Sequence, residues 1–145
     1  MGGAIGGLLA AGVYKDEPER IAAFVKQERI DIPGIVTAEF ERQLEQNSAA
    51  KQALQQKGPG KFQMRILYGI TSVPFSDYRP YLSIRMSFID DMGTEKWKDR
   101  EYVGGHGNAK AIPYPDFLKS ADIFKGEFEV AANEVTALLL KNLSR

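Results

Sequence analysis

The spacing of apolar side chains changes along the chain and divides it into helical and extended parts. After residue 17, apolar residues recur every three or four positions, which is the spacing of amphipathic helices. The pattern predicts helices over 18–29 and from Pro33 to near Asn47, then a further turn or two over 49–56 that the glycine-proline run 58–60 closes. The amino-terminal third is therefore predicted to be mainly helical.

Apolar and polar residues alternate in the middle of the chain, as they do in half-buried strands. The alternation predicts three strands, over 62–70, 82–88 and 95–103. Prolines interrupt the segment 73–80, which we expect to form a loop. The run Asp-Asp-Met-Gly-Thr at 90–94 predicts a turn, so residues 81–103 form an antiparallel hairpin.

The carboxyl-terminal part returns to helical spacing. It predicts a short helix over 116–120 and a long one over 124–142 with a wide apolar face. Helices followed by three strands and a helix predict an α+β fold, with an antiparallel sheet of three or more strands and helices packed on one face. Arg65, Arg85 and Ser87 alternate with apolar strand positions, so we expect the other face of the sheet to stay in water.

The chain opens with an uncharged segment rich in glycine and alanine, Met1–Gly12. As a helix it would place small residues four positions apart, which favours close helix packing, although its glycines disfavour a helix in water. It is shorter than the roughly 20 residues of a spanning helix and lacks the basic start of a signal peptide. We expect residues 1–17 to form a flexible or packing segment, near a membrane surface through residues 1–14, and residues 18–145 to form a single domain.

The amino-acid composition excludes several classes of partner and of active site. The chain has 19 basic and 19 acidic residues, no cysteine and one histidine. The charge balance argues against nucleic acid as a partner, because phosphate binding needs a basic excess or a basic face. The missing cysteines exclude disulfides and thiolate chemistry within the chain, and a single histidine excludes a multi-histidine metal site. No catalytic residue, metal site or cofactor is predicted.

Three polar features are candidates for chemistry. Asp90 and Asp91 form a carboxylate pair that could act in acid–base chemistry or hold a cation, but aspartates are favoured in turns and we interpret them so. His106 is a candidate base or pH-sensitive contact, although no acid lies near it in sequence. The glycine-rich segment Gly104–Asn108 could cradle a phosphate, but it lacks the strand–turn–helix context of a dinucleotide fingerprint.

A different set of residues suggests a binding surface. Arg65 and Arg85 lie on the predicted hydrated face of the sheet, and arginine and tyrosine are enriched at interaction hot spots. A solvated strand face beside a loop anchored by aromatic residues is the competing interpretation. The candidate interaction residues are Arg65, Arg85, Phe75, Tyr78, Tyr81 and His106.

Several sequence features together resemble a group of Gram-negative cell-envelope lipoproteins. They are the opening Gly/Ala segment, the helix Asp-Ile-x-x-Ile-Val-x-x-Glu-Phe-x-x-Gln-Leu from Asp31 to Leu44, the strand Lys-x-Trp-x-Asp…Tyr-Val from Lys96 to Val103, and a terminal helix rich in alanine and leucine. The resemblance covers most of the chain. It implies a fold similar to the amino-terminal region of TolB and to the curli-secretion lipoprotein, and it supplies no catalytic residue.

The resemblance also implies a location and a mode of action. It suggests a non-enzymatic periplasmic domain, anchored at the outer membrane in a longer precursor, that works through protein–protein contact. Such domains have a strand before the first long helix, and none is evident in this sequence. We therefore expect an open sheet edge that pairs with an envelope protein or with a second copy of the chain.

The alternative is a soluble enzyme or small-ligand-binding domain. It would use the Gly104–Asn108 loop together with Asp90, Asp91 or Tyr102. The surroundings of His106 discriminate between the two hypotheses, because a base needs an orienting partner and a pocket.

Overall fold

The structure of the protein is a computed structural model. It describes residues 6–8, 17–72 and 77–145. In chain order its elements are β1 (Gly6–Leu8), α1 (Glu17–Gln27), α2 (Ile32–Glu45), α3 (Ser48–Lys57), β2 (Gly60–Ser72), β3 (Tyr78–Asp90), β4 (Glu95–Val103), α4 (Tyr114–Phe117) and α5 (Ala121–Leu143).

The four strands form one sheet in the order β1-β2-β3-β4. β2 and β3 pair antiparallel along their whole length, and β4 pairs antiparallel with β3. The three antiparallel strands and the long carboxyl-terminal helix confirm the predicted α+β fold.

The expected absence of a first strand is wrong. Gly6–Leu8 forms β1, which pairs parallel with Ile66–Tyr68 at the middle of β2. The strand was not evident in the sequence because glycine is a poor strand former and the segment does not alternate, so its pairing with β2 decides the conformation. β1 therefore occupies part of the edge that we expected to be open. The rest of the predicted amino-terminal segment, residues 1–5 and 9–16, lies outside the described residues.

The predicted loop over 73–80 was too long, because Tyr78–Pro80 belongs to β3. Tyr78 exchanges two backbone hydrogen bonds with Ile112, of 2.8 and 2.9 Å, on the side of β3 away from β2. The nitrogen of Pro80, two residues later, faces the same side. No residue of β4 pairs with β3 at this point, because β4 ends opposite Leu82. The missing N–H of Pro80 therefore removes no bond from the ladder, so the strand tolerates this proline.

The turn between β3 and β4 has the predicted form. One carboxylate oxygen of Asp90 accepts hydrogen bonds from the backbone N–H groups of Met92 and Thr94, at 3.0 and 2.8 Å. Gly93 adopts the left-handed conformation with φ of 83°, which glycine enters without steric cost. Asp90 is therefore a turn residue, as we interpreted it.

Side-chain caps fix where three helices begin. Asp31 caps α2 through the N–H of Gly34 at 2.9 Å, and Asn47 caps α3 through the N–H of Ala50 at 3.0 Å. Each cap satisfies an N–H group that the first helical turn leaves unpaired. α3 is accordingly a full helix of ten residues, longer than predicted. Ser120 caps α5, which begins three residues earlier than expected, and α4 begins two residues before the predicted 116–120 and overlaps it at 116–117.

The helices cover one face of the sheet. Phe40 of α2 meets Phe62 of β2 with ring centroids 5.0 Å apart, and Phe128 of α5 meets Tyr68 of β2 at 6.0 Å. Asn142 of α5 donates a hydrogen bond to Asp99 of β4 at 2.6 Å. Across 17–72 and 77–145, no helix is long and apolar enough to cross a membrane.

Candidate interaction surface

Three arginines lie side by side on the face of the sheet away from the helices, which we call the open face. Arg65 of β2 lies directly opposite Arg85 of β3, and Arg85 lies directly opposite Arg100 of β4. All three are exposed. We call this set the arginine row. Like charges at directly opposed positions repel each other, so this arrangement is unfavourable for the fold on its own.

The acidic residues of β4 form no ion pair with the arginine row: Glu95, which lies near Arg85 and Arg100 on the open face, pairs with Lys98 at 3.9 Å. Asp99 and Glu101 alternate with Arg100 and therefore point to the helix-covered face. There Asp99 accepts a hydrogen bond from Asn142, and burial, followed by the charge of Asp99, raises the pKa of Glu101. Over the described parts of the chain, none of the three arginine side chains has a hydrogen bond or an ion pair.

A less polar row lies beside the arginine row. Two residues further along each strand, Leu67, Ser83 and Tyr102 oppose one another in register. Leu67 is 43% exposed and Tyr102 is 52% exposed, whereas Ser83 is buried between them. A shallow cavity of about 280 Å³ lies between the two rows. The open face therefore places cationic and apolar groups next to each other.

Aromatic rings continue the open face toward the end of β4. The rings of Tyr81 and Tyr102 stack with centroids 6.2 Å apart, and the edge of one ring meets the other between Tyr102 and His106 at 5.5 Å. A Cβ atom at Gly104 would come within 3.2 Å of the Tyr81 ring, so a larger residue here would require the Tyr81 ring to shift. We call Tyr81, Tyr102 and His106 the aromatic end.

The structure brings four of the six predicted interaction residues to the open face. Arg65 and Arg85 are neighbours in the arginine row, and Tyr81 and His106 belong to the aromatic end. Tyr78 was wrongly grouped with them. It lies three residues from Tyr81, so strand alternation places it on the helix-covered face, where its ring meets Tyr114. Phe75 lies outside the described residues.

The Gly104–Asn108 loop is held by contacts with other elements. The Arg79 guanidinium donates hydrogen bonds to the carbonyls of Gly105 and Ala109, at 2.5 and 2.8 Å. Glu134 of α5 accepts a hydrogen bond from the Asn108 N–H at 2.6 Å. The loop is thus anchored to β3 on one side and to α5 on the other.

The structure assembles only part of the composite site of the alternative hypothesis, because Tyr102 contacts His106 of the loop whereas Asp90 and Asp91 lie away from it. Asp90 and Asp91 precede β4 and the Gly104–Asn108 loop follows it, so the acids and the loop lie at opposite ends of a strand about 27 Å long. His106 is exposed, and its ring contact is with Tyr102. In the described residues no group of three or more His, Cys, Asp or Glu side chains could hold a metal ion.

Sequence reasoning missed Arg100, Leu67 and the pairing that makes the arginine row. The alternation of β4 already placed Arg100 on the same side as Lys98 and Tyr102. Counting outward from the Asp90–Thr94 turn would have brought Arg100 close to Arg85. The register shift between Phe88 and Ile89 moves the pairing by one residue, however, so the exact partner required the structure.

Comparison with family models, with curated proteins and with solved structures gave no match for this chain. The chemistry of the open face is therefore the observation from which a function can be inferred. Guanidinium groups form paired hydrogen bonds with carboxylates and with other planar anions, and exposed tyrosine and leucine side chains bury apolar area on contact. This combination can bind a partner that is both acidic and apolar.

Proposed function

We propose that this chain is a non-enzymatic binding domain that works by protein–protein contact through the open face of its sheet. The observation that carries the proposal is the arginine row, in which Arg65, Arg85 and Arg100 oppose one another without a described acidic partner. Like charges in such a row repel each other across the strands, and its exposed side chains lie outside the core. A bound partner that supplies negative charge would relieve the repulsion between these arginines.

The neighbouring side chains support the same proposal. Leu67 and Tyr102 are among the exposed large apolar side chains of the described chain, and they lie on one face beside the arginines. Interfaces typically combine arginine and aromatic anchors with apolar area that excludes water. The competing interpretation, a strand face that is only solvated, does not explain why arginine side chains and large apolar side chains are exposed together.

The cellular location is a separate proposal. Sequence resemblance to Gram-negative envelope lipoproteins supports a periplasmic domain, anchored at the outer membrane in a longer precursor. Fractionation of the source organism, with an antibody to this chain, tests it. Recovery with the cytosolic fraction contradicts the location but leaves the binding proposal intact.

Site-specific photocrosslinking tests the binding proposal. A photoreactive phenylalanine analogue replaces Tyr102 on the open face or, as a matched control, Ile123 of α5, which is 43% exposed. Irradiation of cells of the source organism is expected to yield a protein adduct of defined mass at position 102 only. The adduct should disappear when Arg85→Glu is added, because glutamate repels an acidic partner.

Two results would overturn this proposal. One is the absence of a protein adduct at position 102 although the labelled chain is folded and expressed. The other is the same adduct from position 123, or an adduct that Arg85→Glu leaves unchanged, since contact would then not depend on the open face.

A further inference from the structure

We infer that the partner of the open face is an acidic amphipathic α-helix that crosses the strands along the arginine row, an inference that rests on the proposed function. The residues of the open face indicate the charge, the direction and the conformation of this partner. The charge follows from the three arginines, which have no described acidic partner. Oppositely charged surfaces attract each other and suppress wrong partners.

The direction follows from the register. The arginine row runs across β2, β3 and β4, perpendicular to the strands, because its members are directly opposed. The row of Leu67, Ser83 and Tyr102 runs parallel to it, two residues further along each strand, which is a displacement of about 7 Å. A partner that contacts both rows along their length must therefore lie across the strands.

The spacing of the arginines distinguishes a helix from an extended peptide. Neighbouring strands are about 4.8 Å apart, so the backbones at Arg65 and Arg100 are separated by about 9.6 Å. Three carboxylates on one helix face, at positions i, i+3 or i+4, and i+7, span about 10.5 Å. Three on one face of an extended strand, at i, i+2 and i+4, span about 13 Å. The helix therefore matches the row more closely.

The less polar row explains why the helix is amphipathic. A helix with side chains is about 10–12 Å across, so stripes of side chains that are about 7 Å apart lie on one side of it. When the acidic stripe of the helix contacts the arginine row, the adjacent stripe of the helix lies over Leu67 and Tyr102. Because these two side chains are exposed, apolar residues are favoured in that stripe. Ser83 is short and buried between them, so the shallow cavity at this point can accept an apolar side chain.

A synthetic peptide tests the inference. The probe is a helical peptide of about 20 residues, long enough to fold in part on its own, with glutamates at i, i+4 and i+7 and leucines on the adjacent stripe. A peptide of the same composition with alternating glutamates, which favours an extended form, is the control for conformation. Binding is measured by fluorescence anisotropy at about 50 and 200 mM salt, because exposed charge pairs weaken as salt rises.

The expected result is specific for conformation and for position. The helical peptide binds the unmodified chain at least about tenfold more tightly than the alternating peptide, and Arg85→Glu weakens its binding by at least about tenfold. Lys141→Glu is the matched control, since Lys141 is an exposed residue of α5 and the charge change is the same. The affinity of this control variant for the helical peptide is expected to stay within about twofold of that of the unmodified chain. Circular dichroism verifies that both variants are folded.

Each other outcome overturns the inference in a recognisable way. If the alternating peptide binds as tightly as the helical peptide or more tightly, the partner is not a helix, although an acidic protein partner remains supported. Binding of a single-stranded oligonucleotide or of phosphatidylglycerol vesicles, without binding of either peptide, contradicts both this inference and the proposed function. Binding of none of these probes rejects the acidic helix, and the photocrosslink at position 102 then decides whether the proposed function survives.

Discussion

At the scale of single residues, Glu39 shows how one carboxylate joins two helices. It lies on α2 and accepts hydrogen bonds from Arg42, from Gln43 and from Asn133 of α5, the last at 2.9 Å. The side chain of Glu39 is 18% exposed. The hydrogen bond from Arg42, with those from Gln43 and Asn133, lowers the pKa of Glu39 to about 2 despite the opposing effect of burial.

This lowered pKa predicts how stability depends on pH. A carboxylate with a lower pKa in the folded state stabilises the fold fully above its unfolded pKa of about 4.3, and this contribution disappears as pH falls from there toward 2. We expect Glu39→Gln to lower the free energy of unfolding at pH 7 by about 1–3 kcal/mol. The difference between the two proteins should shrink between about pH 5 and pH 2.

Urea unfolding of both proteins at several pH values measures this effect. Glu41→Gln is the matched control, because Glu41 is an exposed carboxylate two residues away on the same helix. It is expected to change stability by less than about 0.5 kcal/mol. A deficit of the Glu39 variant that stays constant down to pH 2 would show that its charged form is not what matters.

Residues whose roles depend on near neighbours were predictable from the sequence. Asp90 was correctly interpreted as a turn residue, because its hydrogen bonds reach only two and four positions along the chain. Tyr78 was misplaced because the sequence did not show that β3 begins there rather than after Pro80. Its face depended on a backbone pairing with Ile112, 34 positions away in the chain.

At the scale of elements, hydrophobic spacing located the long helices and the three antiparallel strands but not their partners. β1 was missed because three residues that include two glycines carry no periodic signal, and pairing with β2 defines the strand. The arginine row was missed for the same reason. Arg65, Arg85 and Arg100 belong to three strands, and the sequence alone does not fix their register.

The arginine row also makes a prediction about the stability of the sheet. Replacing Arg85 with glutamate turns two repulsive cross-strand pairs into two attractive ones, with Arg65 and with Arg100. Cross-strand charge pairs contribute roughly 0.2–1 kcal/mol each. We expect Arg85→Glu to raise the free energy of unfolding by about 0.5–1 kcal/mol while it weakens binding to an acidic partner.

Thermal unfolding at low and high salt measures this gain in stability. The gain should be larger at low salt, where charges on the surface are screened less. Arg85→Gln, which removes the repulsion without adding an opposite charge, should give a smaller gain. A loss of stability in both variants would show that the long arginine side chain contributes more by packing than it costs by repulsion.

At the scale of the whole molecule, one hydrophobic core connects the sheet to the helices. Phe128 of α5 is fully buried, stacks on Phe124 with ring centroids 4.7 Å apart, and meets Tyr68 of β2 edge to face at 6.0 Å. Core residues from α1, α2, α5 and the three long strands belong to the same cluster. The open face and its arginine row are therefore supported by a single packed layer.

A shared core predicts that the helices and the sheet unfold together. Far-ultraviolet circular dichroism reports the helices, and the fluorescence of Trp97, whose ring meets Phe62 at 6.3 Å, reports the sheet. Phe128→Ala leaves a cavity that costs about 3–5 kcal/mol, a large part of the 5–15 kcal/mol of a typical domain. We expect both signals to shift to lower urea concentration by the same amount and to remain coincident.

Two further variants keep this test informative. Phe128→Leu removes less volume and should shift both transitions less, so it remains measurable if the alanine variant does not fold. Val130→Ala, at a position of α5 that is 38% exposed, should change the midpoint little. Transitions that separate, with circular dichroism shifted and Trp97 fluorescence unchanged, would mean that α5 and the sheet do not share one cooperative core. The open face would then be stable independently of the helices beneath it.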